Sequence, residues 1–453
     1  MEALKALLGA IDGVVWGPVM IVLLVGTGIY LSIRLKFIQI SSFGHAVKIV
    51  KGDYDHESGG KEGEISHFQA LSAALSATIG TGNIAGVATA IALGGPGALF
   101  WMWITAFFGM ATKYASCLLG LKYRTIDENG VVTGGPMLYL ERGLGQKWLG
   151  VLFAIFAVIA SFGIGNMVQA NSVAEPVAAT FGLPKWITGL VMGVLVWLVI
   201  VGGIKRVGKV ASRIVPFMSI AYIATALVVL IINFSAIPAA FAQIFSHAFT
   251  PTSATGGFAG AVVLLTLRYG VARGVFSNEA GLGSAPMAHA AAQTDEPVRE
   301  GMVAMLGPFI DTIIICTMTG LAIVTSGAWT SGLTGAELTS EAFNLALPGV
   351  GRYLIAVSIV FFAFSTTVSW SYYGDRCIMY LSGREQLVSA YRWIYAAMIP
   401  IGAILKLELV WTFSDIANGL MALPNLIGLL GLSGTVIALT KSYLEKMHNP
   451  VLK

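Results

Sequence analysis

The feature that most constrains this chain is a series of long apolar segments, each about the length of a membrane-spanning helix. A bilayer core of about 30 Å requires ~20 apolar residues in helical conformation. Eleven such segments are predicted, at residues 14–33, 66–93, 97–121, 148–168, 184–204, 210–232, 258–285, 299–327, 352–381, 388–405 and 410–440. Only 11% of the 453 residues are charged, against roughly a quarter in soluble domains. The pattern excludes a water-soluble globule and predicts an all-helical, lipid-embedded, multi-pass membrane protein.

The Lys and Arg residues lie mainly in short loops, where they indicate orientation because cytoplasmic loops are enriched in them. With eleven alternating spans, most fall on one side, from Arg34 in the first loop to Lys441 after the last span. The opposite side holds only Lys5, Lys185, Arg352 and Lys406. The N-terminus is therefore predicted outside and the C-terminus in the cytoplasm of a cell membrane. Because the basic residues are scattered, a nucleic-acid partner is excluded.

Two of the spans contain residues that disfavour a continuous helix. In the second span, Gly80-Thr-Gly-Asn83 follows Ser76-Ala-Thr78, and each glycine costs ~1 kcal/mol of helix stability relative to alanine. In the seventh span, the stretch Tyr269–Glu279 holds two glycines, and Ser277 or Asn278 suits the N-cap of a new helix. Both spans are predicted to consist of helix, break and helix. The alternative for either is close helix packing through small residues.

The two interrupted spans hold matching places in the chain. When residues 14–33 are set aside as an extra N-terminal helix, five spans follow in residues 66–232 and five more in residues 258–440. Each interrupted span opens its block, and the two blocks have opposite topology. Interrupted helices at corresponding positions of inverted repeats are typical of secondary transporters with a site at the membrane midplane.

The backbone groups freed at the breaks differ in charge because helix dipoles point along the chain. The second span is expected to offer carbonyls to a cation near Thr78 and Ile79, and amides to an anion near Gly82 and Asn83. The seventh span is expected to offer the converse pair, with carbonyls at 269–272 and amides at Phe276, Ser277 and Asn278. A zwitterion fits this arrangement.

Several motifs support a family resemblance that extends over most of the chain. They are Gly80-Thr-Gly-Asn83-Ile-Ala-Gly86, Gly94-Gly-Pro-Gly97 with Trp101 and Trp103, Gly134-Gly-Pro-Met-Leu-Tyr139, and Gly274-Val-Phe-Ser-Asn-Glu-Ala-Gly281. The chain resembles the alanine or glycine:cation symporter family. The resemblance implies uptake of alanine and glycine driven by sodium, or less often by protons, on a fold similar to that of the bacterial leucine transporter with one extra N-terminal helix.

The resemblance also implies a site for the co-transported sodium ion between the first broken helix and the ninth span. In the ninth span, the carbonyl of Ala363 and the hydroxyls of Thr366 and Thr367 share one helical face. Alignment with the related fold adds Ser76 and Ile79 as opposing carbonyl donors. The alternative is that both threonines only bond back to their own helix.

By the same alignment, Thr78 is expected to approach the substrate ammonium group. The amides of Gly80, Thr81 and Gly82 are expected to receive the substrate carboxylate. A small neutral amino acid, alanine or glycine, is the implied substrate.

The expected pocket wall departs from the leucine transporter. Trp370 and Phe276 are bulky groups that would shrink the pocket to fit a small side chain, although Trp370 also suits ordinary packing. Gln169, near Asn166 at the end of the fourth span, is a further candidate to bind the amine or carboxylate. A capping or packing role for Gln169 stays open.

Charged residues within the spans need protein or water around them, because a charge at the bilayer centre costs about 3 kcal/mol or more. Arg273 and Glu279 are candidates for a gating or structural ion pair, and Asp311 for a second cation or proton site or a helix-packing acid. Lys113 is expected to extend toward the cytoplasmic face.

Other classes of function fit less well. An enzyme is excluded because the histidines are scattered and form no His-Glu-x-x-His motif. A channel remains an alternative, since broken helices can line pores. A proton-coupled carrier or exchanger would use a titratable group such as Asp311 in place of the threonine pair. Oligomeric state and the ranking of alanine against glycine stay open.

Overall fold

A computed structural model describes residues 2–54, 63–127, 130–250 and 259–448 of the chain. Within these ranges the protein is built almost entirely of helices. The strands found there are two short ones, β1 (Thr125–Ile126) and β2 (Val132–Thr133), which pair antiparallel. The chain therefore belongs to the all-helical class that its apolar segments predict.

The described residues of the first half of the chain form thirteen α-helices. They are α1 (Glu2–Val15), α2 (Pro18–Arg34), α3 (Ile38–Ser41), α4 (Phe43–Val50), α5 (His67–Thr78), α6 (Val87–Gly94), α7 (Ala98–Lys122), α8 (Pro136–Leu138), α9 (Lys147–Phe162), α10 (Val168–Phe181), α11 (Lys185–Ile200), α12 (Gly203–Ile232) and α13 (Ile237–His247). Turns of π-helix cover Gly82–Gly86, Tyr139–Gly143 and Gly163–Met167, and a short 3₁₀ turn covers Phe234–Ala236.

The second half continues the series. Its helices are α14 (Ala259–Asn278), α15 (Ala285–His289), α16 (Pro297–Pro308), α17 (Thr317–Ser326), α18 (Gly335–Ala346), α19 (Gly351–Ser382), α20 (Glu385–Ile404), α21 (Leu407–Gly431) and α22 (Ser433–His448). A π-helical segment, Phe309–Cys316, joins α16 to α17, and a 3₁₀ turn covers Ala328–Thr330.

Among the described residues, eight helices are long and apolar enough to cross a membrane, and the bent pair His67–Thr78 and Gly82–Gly94 makes a ninth. Two predicted spans correspond to helices outside this set, the apolar helix Lys185–Ile200 and the helix Ala259–Asn278. A multi-pass membrane protein is therefore confirmed, while the count of eleven spans and the inverted repeat stay predictions.

Two predicted segments differ in detail from the structure. The predicted eleventh span, 410–440, is divided at Leu432 between α21 and α22. The basic segment after the first span, which contains the loop residues that follow Arg34, folds into two short helices, α3 and α4. Phe37, which precedes α3, adopts a left-handed conformation with φ of +53° that separates this segment from α2.

Two long helices position the site. The buried helix α7 lies against both α14 and α16. The other, α19, lies against α5, α9, α10 and α12. Half of α19, from Phe362 to Cys377, is buried apart from the half-buried Phe364. Polar groups there must find partners inside the protein, because an unpaired buried polar group costs about 1–3 kcal/mol.

Candidate substrate and cation site

The predicted break in the second span is present in the structure. A capping box of Ser66 and Gln69 starts α5, and the helix ends at Thr78. The next residue, Ile79, is extended with φ of −73° and ψ of 92°. The two halves of the span are bent by 49°. The backbone groups at this bend are therefore released from the regular helical ladder, as the Gly-Thr-Gly sequence predicts.

The break lies directly against α19. A Cβ atom at Gly80 would collide with Oγ1 of Thr366, so only glycine allows this approach. Gly82 is also close to its neighbours, because a Cβ there would lie 3.1 Å from the Cα of Ser277 and 3.3 Å from Cδ1 of Phe276. The two glycines thus bring the break into contact with two other helices, α19 and α14.

Three of the five predicted oxygen ligands of the cation site, Ser76, Ile79 and Thr366, lie at this contact between the break and α19. Oγ1 of Thr366 donates to the carbonyl of Ile79 at 3.4 Å across the break. Oγ1 of Thr367 donates to the carbonyl of Ala363 at 2.9 Å, which is the back-bonding alternative. The Ser76 carbonyl accepts a hydrogen bond from α19 as well. Oxygens of this kind are the ligands that hard cations prefer.

Ser365 is a member of this group that the sequence interpretation missed. Its hydroxyl lies 3.5 Å from the carbonyl of Ser76, and Oγ of Ser76 donates to the carbonyl of Ser365 at 2.8 Å. The signal was present in the sequence, since Ser365, Thr366 and Thr367 form a polar run inside an apolar span.

Two of the three amides expected to bind a carboxylate, those of Gly80 and Thr81, already have acceptors in this structure. The amide of Gly80 donates to Oδ1 of Asn83 at 2.8 Å. The amide of Thr81 donates to Oε1 of Gln169 at 3.3 Å, and Nε2 of Gln169 donates to the carbonyl of Ile164 at 2.7 Å. The side chain of Gln169 therefore bonds backbone groups of the protein at the break, and its predicted role in binding the substrate stays a prediction.

The hydroxyl of Thr78, expected near the substrate ammonium group, bonds back to its own helix. It donates to the carbonyls of Ala74 and Leu75, both at 3.3 Å. The side chain is buried at the last turn of α5. A contact of Thr78 with substrate stays a prediction.

The predicted break in the seventh span is wrong in position. The helix α14 continues through Gly270 and Gly274 to Asn278. Both glycines face α7, because a Cβ at Gly270 would lie 2.5 Å from the carbonyl oxygen of Ala98 and one at Gly274 would lie 3.3 Å from the Cα of Met102. Here the alternative, close packing through small residues, is the correct interpretation.

The break in this region comes after Asn278 instead. Glu279 has a left-handed backbone with φ of +56°, and the chain turns until α15 begins at Ala285. Phe276 and Ser277 lie inside α14, and the amide of Glu279 itself bonds the carbonyl of Val275 at 2.8 Å. Helical geometry therefore removes the free amides that were expected at Phe276, Ser277 and Asn278.

A buried lysine holds the end of α14. Nζ of Lys113 donates to the carbonyl of Asn278 at 3.0 Å, and the side chain of Lys113 is only 1% exposed. The expectation that Lys113 extends to the membrane surface is therefore wrong. A cation at a helix C-terminus is favoured by the helix dipole and by the unpaired carbonyls there.

The expected pair of Arg273 and Glu279 does not form. Arg273 makes a bidentate ion pair with Asp415 on α21, at 2.6 and 2.9 Å. The carboxylate of Glu279 accepts hydrogen bonds from Trp370 and Ser284 at 2.7 and 2.5 Å. Arg273 lies within the continuous α14, so its side chain leaves the helix about 1.7 turns before Glu279 and points in a different direction.

The indole of Trp370 is fully buried beside the fourth span. Its Nε1 bonds Glu279, and Gly165 packs so closely against the ring that a Cβ at Gly165 would collide with it. Trp370 is thus held from two directions. Its role as a wall of the substrate pocket stays a prediction.

Asp311 lies at the centre of a buried hydrogen-bond network. Its Oδ1 accepts from Nδ2 of Asn83 at 2.7 Å, and its Oδ2 accepts from Ser277 at 2.9 Å and Thr312 at 2.7 Å. Nδ2 of Asn278 donates to Oγ1 of Thr312 at 3.1 Å. The network joins the first break to the end of α14 through the π-helical segment that carries Asp311.

A cavity of about 420 Å³ opens beside these elements, lined by residues of α6, α14, α18 and α21. Phe276 stands between the break and this cavity, since it lies against Gly82 and stacks on Trp411 with ring centroids 4.7 Å apart. The guanidinium of Arg273 lies 4.7 Å from the centroid of the Trp411 ring. Arg273, Asp415 and the rings of Phe276 and Trp411 thus pack against one another, and Phe276 also contacts the break at Gly82.

Comparison with known proteins identifies the family. Residues 1–451 match the sequence model of the sodium:alanine symporter family. The chain belongs to this family. It is therefore a membrane transporter and not an enzyme, and the resemblance drawn from its motifs is confirmed.

Individual relatives cover nearly the whole chain. The sodium/alanine symporter AgcS of Methanococcus maripaludis is 51% identical over 452 residues, 98% of this chain and 98% of that protein. The probable sodium/glutamine symporter GlnT of Bacillus subtilis is 38% identical over 444 residues, 98% of this chain and 91% of that protein. Relatives with this much coverage place the whole chain, including both breaks, within the family.

A solved structure shows the shared fold. The crystal structure of MhsT in complex with L-phenylalanine superposes with a TM-score of 0.60 at 15% identity, and the match covers 82% of this chain and 90% of that chain. The fold is thus similar to that of the leucine-transporter class, as the resemblance implied.

Proposed function

We propose that this family member imports small neutral amino acids, alanine and glycine, by symport with sodium across the cell membrane. The two halves, 66–232 and 258–440, act as inverted repeats around the first break. The N-terminus lies outside and the C-terminus in the cytoplasm. The two sides of the membrane gain access to the site in turn, as alternating access requires.

The observation that carries this proposal is the contact between Ile79 and Thr366. The carbonyl of Ile79 is released by the bend, and Oγ1 of Thr366 lies 3.4 Å from it on the neighbouring helix. A sodium ion held here by Ser76, Ile79, Ala363, Thr366 and Thr367 would join α5 to α19. Because the same break carries the amides for the substrate, each ligand stabilises the arrangement that the other needs, which is the basis of coupling.

In this proposal the substrate binds on the side of the break opposite the sodium ion. Its carboxylate binds the amides of Gly80, Thr81 and Gly82, replacing Gln169 at Thr81. Its ammonium group is directed to Thr78 and the carbonyls before the bend. Phe276 and Trp370 form the wall around the side chain of the substrate and restrict that side chain to a hydrogen or a methyl group.

Uptake into proteoliposomes tests the proposal. Labelled alanine is offered under an inward sodium gradient at equal pH, and in parallel under an inward proton gradient without sodium. Accumulation above the external concentration in the first case only is the expected result. Accumulation under the proton gradient only would show that protons, and not sodium, are the coupling ion. Equilibration without accumulation under both gradients would indicate a channel.

A proton-coupled carrier is the second candidate, and the position of Asp311 favours it. This carboxylate is fully buried and bonds the side chain of Asn83 in the break, so its protonation would be felt at the substrate site. Asp311→Asn keeps the acceptor for Asn83 but removes the titratable group. Loss of proton-driven uptake in this variant would favour the second candidate, whereas unchanged sodium-driven uptake would favour the first.

A further inference from the structure

A second cavity lies on the side of the protein where α5 begins. Its volume is about 440 Å³, and it is lined by the segment before α5, the β1–β2 hairpin, the start of α12, the end of α19 and the first half of α20. Along α19, Arg376 in its wall is ten residues from Thr366, which corresponds to about 15 Å of helix. The cavity is therefore separate from the candidate site at the break.

Arg376 is a buried cation with few partners in the wall of this cavity. Its side chain is only 8% exposed. A guanidinium carries five N–H donors, but within the described ranges its one hydrogen bond runs from Nη1 to the carbonyl of Val132 at 3.4 Å. Its Nε is buried there without a partner. Because unused buried donors are costly, this wall is suited to an acceptor, and a carboxylate matches the guanidinium fork best.

Tyr372 is a second buried polar residue on the same wall. The guanidinium carbon of Arg376 lies 5.2 Å from the centroid of the Tyr372 ring, and the tyrosine is 3% exposed. In the part of the chain that the structure describes, no group bonds its hydroxyl. Both residues line the cavity. Two neighbouring donors on α19 therefore lack the acceptor that their burial requires.

A carboxylate lies near this guanidinium without pairing with it. Oε1 of Glu64 accepts a hydrogen bond from the amide of Val132 at 2.9 Å, and Arg376 donates to the carbonyl of the same residue. The amide and carbonyl of one strand residue point to the same edge, so both side chains meet one edge of β2. Glu64 is half-buried and also lines the cavity. Among the described residues, the two opposite charges form no ion pair with each other.

The other charged groups of the cavity are paired or exposed. Arg392 donates from Nε to Oδ2 of Asp375 at 2.8 Å. Lys205, Asp127 and Glu385 are exposed at the rim. Basic and acidic side chains are thus equally numerous in the lining. A ligand with a single charge would be repelled by half of them, whereas a ligand with both charges matches the lining.

We propose that this cavity is a second binding site, which takes neutral α-amino acids as zwitterions. The ligand carboxylate accepts hydrogen bonds from the guanidinium of Arg376 and the hydroxyl of Tyr372. The ligand ammonium group donates to Glu64. We call these three residues the inner site.

The inner site goes beyond the proposed function and rests on it in two respects, the choice of alanine as the amino acid to test and the assignment of this side to the cytoplasm. Under that assignment the inner site binds amino acid that has already been imported. Its occupancy therefore follows the internal concentration. No predicted sodium ligand is among the described residues that line the cavity, so binding is expected without sodium.

Protection of a cysteine from modification measures binding at the inner site. Ser389 is exposed and lines the cavity. The native cysteines are buried, so Ser389→Cys introduces a cysteine that a water-soluble maleimide can reach. The variant is assayed in detergent with choline in place of sodium, and we expect added alanine to slow the reaction. Lys446→Cys, at an exposed position outside the cavity, should react at the same rate with and without alanine.

Variants of the two charges, made in the Ser389→Cys parent, test how the ligand is held. Arg376→Gln should raise the half-protecting alanine concentration about tenfold or more, because the bonds to an ionised carboxylate are lost. Glu64→Gln keeps an acceptor for the Val132 amide. It should weaken protection by alanine but not by propionate, which has no ammonium group and should protect the parent less well than alanine does. Arg384→Gln, exposed and outside the cavity, is the matched control and should behave as the parent.

The outcomes separate the inner site from the proposed function. Protection that is absent, that requires sodium, or that is equal in Arg376→Gln and its parent would overturn the inner site. Propionate that protects as well as alanine would overturn the zwitterion as its ligand. If Arg376→Gln does not fold, Glu64→Gln decides, and unchanged protection by alanine in that variant would also overturn the inner site. Failure of uptake into proteoliposomes, with protection that still depends on Arg376, would contradict the proposed function alone.

Discussion

Trp370 donates the hydrogen of its indole Nε1 to Oε1 of Glu279 at 2.7 Å. The bond joins the middle of α19 to the residue at which α14 ends. Since α19 also carries Thr366 and Thr367, one helix contacts both breaks. A change at either break can therefore be transmitted to the other through α19.

The first prediction concerns the size limit of the substrate pocket. Trp370→Ala removes a large buried side chain, and we expect the variant to bind amino acids larger than alanine. The same change costs about 3–5 kcal/mol of unfolding free energy, as for other buried tryptophans. Competition of larger amino acids against labelled alanine measures the change in specificity.

Two comparisons make this prediction sharper. Trp370→Phe keeps a ring but loses the donor to Glu279, so it is expected to retain most of the size limit. Trp148→Ala removes a tryptophan that is 63% exposed, and its specificity should match the wild type. If larger amino acids compete as weakly in Trp370→Ala as in the wild type, Trp370 is not the wall.

The second prediction concerns the cation site. Replacing Thr366 and Thr367 together by valine keeps the shape of both side chains and removes two oxygen ligands. We expect sodium stimulation of alanine uptake to be lost while the protein can still be purified in folded form. Uptake as a function of sodium concentration measures the effect.

The matched control lies on α12. Oγ1 of Thr225 bonds back to the carbonyl of Ala221 at 2.9 Å at an exposed position, so Thr225→Val should leave sodium dependence unchanged. Sodium stimulation that survives in the double variant would remove these threonines from the site.

The third prediction concerns the ion pair of Arg273 with Asp415. Arg273 and Asp415 are each less than a tenth exposed, and removing one partner of such a pair costs about 3–5 kcal/mol because the other charge is left buried. Arg273→Met and Asp415→Leu are each expected to destabilise the protein more than the double variant does. Denaturation in detergent measures all three.

An exposed ion pair supplies the control for this cycle. Lys441 and Glu445 form an i,i+4 pair at the surface, and such pairs are worth about 0.3–0.5 kcal/mol. Lys441→Ala should therefore have a small effect. A double variant as unstable as the sum of its singles would show that Arg273 and Asp415 do not act as a pair.

The fourth prediction distinguishes packing from a break in α14. Gly270→Ala places a Cβ 2.5 Å from the carbonyl oxygen of Ala98, a backbone atom that cannot move easily. Overpacking of this kind costs about 1–3 kcal/mol. At Gly274 the nearest atom is 3.3 Å away, and alanine gains up to ~1 kcal/mol of helix propensity. Gly274→Ala is therefore expected to be tolerated and Gly270→Ala to lower the melting temperature.

Transport by the same two variants completes the test. If the backbone at Gly274 had to unwind to bind substrate, Gly274→Ala would lower alanine uptake more than Gly270→Ala does. Because α14 is continuous through Gly274, we expect Gly270→Ala to lower alanine uptake more than Gly274→Ala does.

The two breaks show how far the sequence determines this site. At Gly80 and Gly82 the glycines coincide with polar residues that need partners outside their helix, so the pattern predicts the break correctly. Gly270 and Gly274 have the same local pattern, but Ala98 and Met102 on α7 determine their role. The sequence around Gly270 and Gly274 does not show that Ala98 and Met102 lie against them, because this contact depends on how distant helices pack.

The charged residues show the same limit. The sequence identifies Arg273, Glu279 and Asp311 as charges within the spans that need partners, and all three are buried. Lys113, which the sequence directed to the cytoplasmic face, is buried as well. The sequence pairs Arg273 with Glu279 because they are near in sequence, whereas the partner is Asp415 on α21. Asp415 lies within a predicted span and carried the same signal, but nothing local connects it to Arg273.

If the substrate carboxylate binds the Thr81 amide as proposed, the hydrogen bond from that amide to Gln169 also affects the affinity for the substrate. A carboxylate that binds this amide replaces an acceptor that is already there, so only the difference between two bonds contributes to affinity. Bonds to charged groups are worth about 1.5–3 kcal/mol and neutral ones about 1 kcal/mol. The exchange therefore gains little, and a small gain shortens the residence time. Weak binding of the substrate suits a transporter, because its turnover depends on release of the substrate.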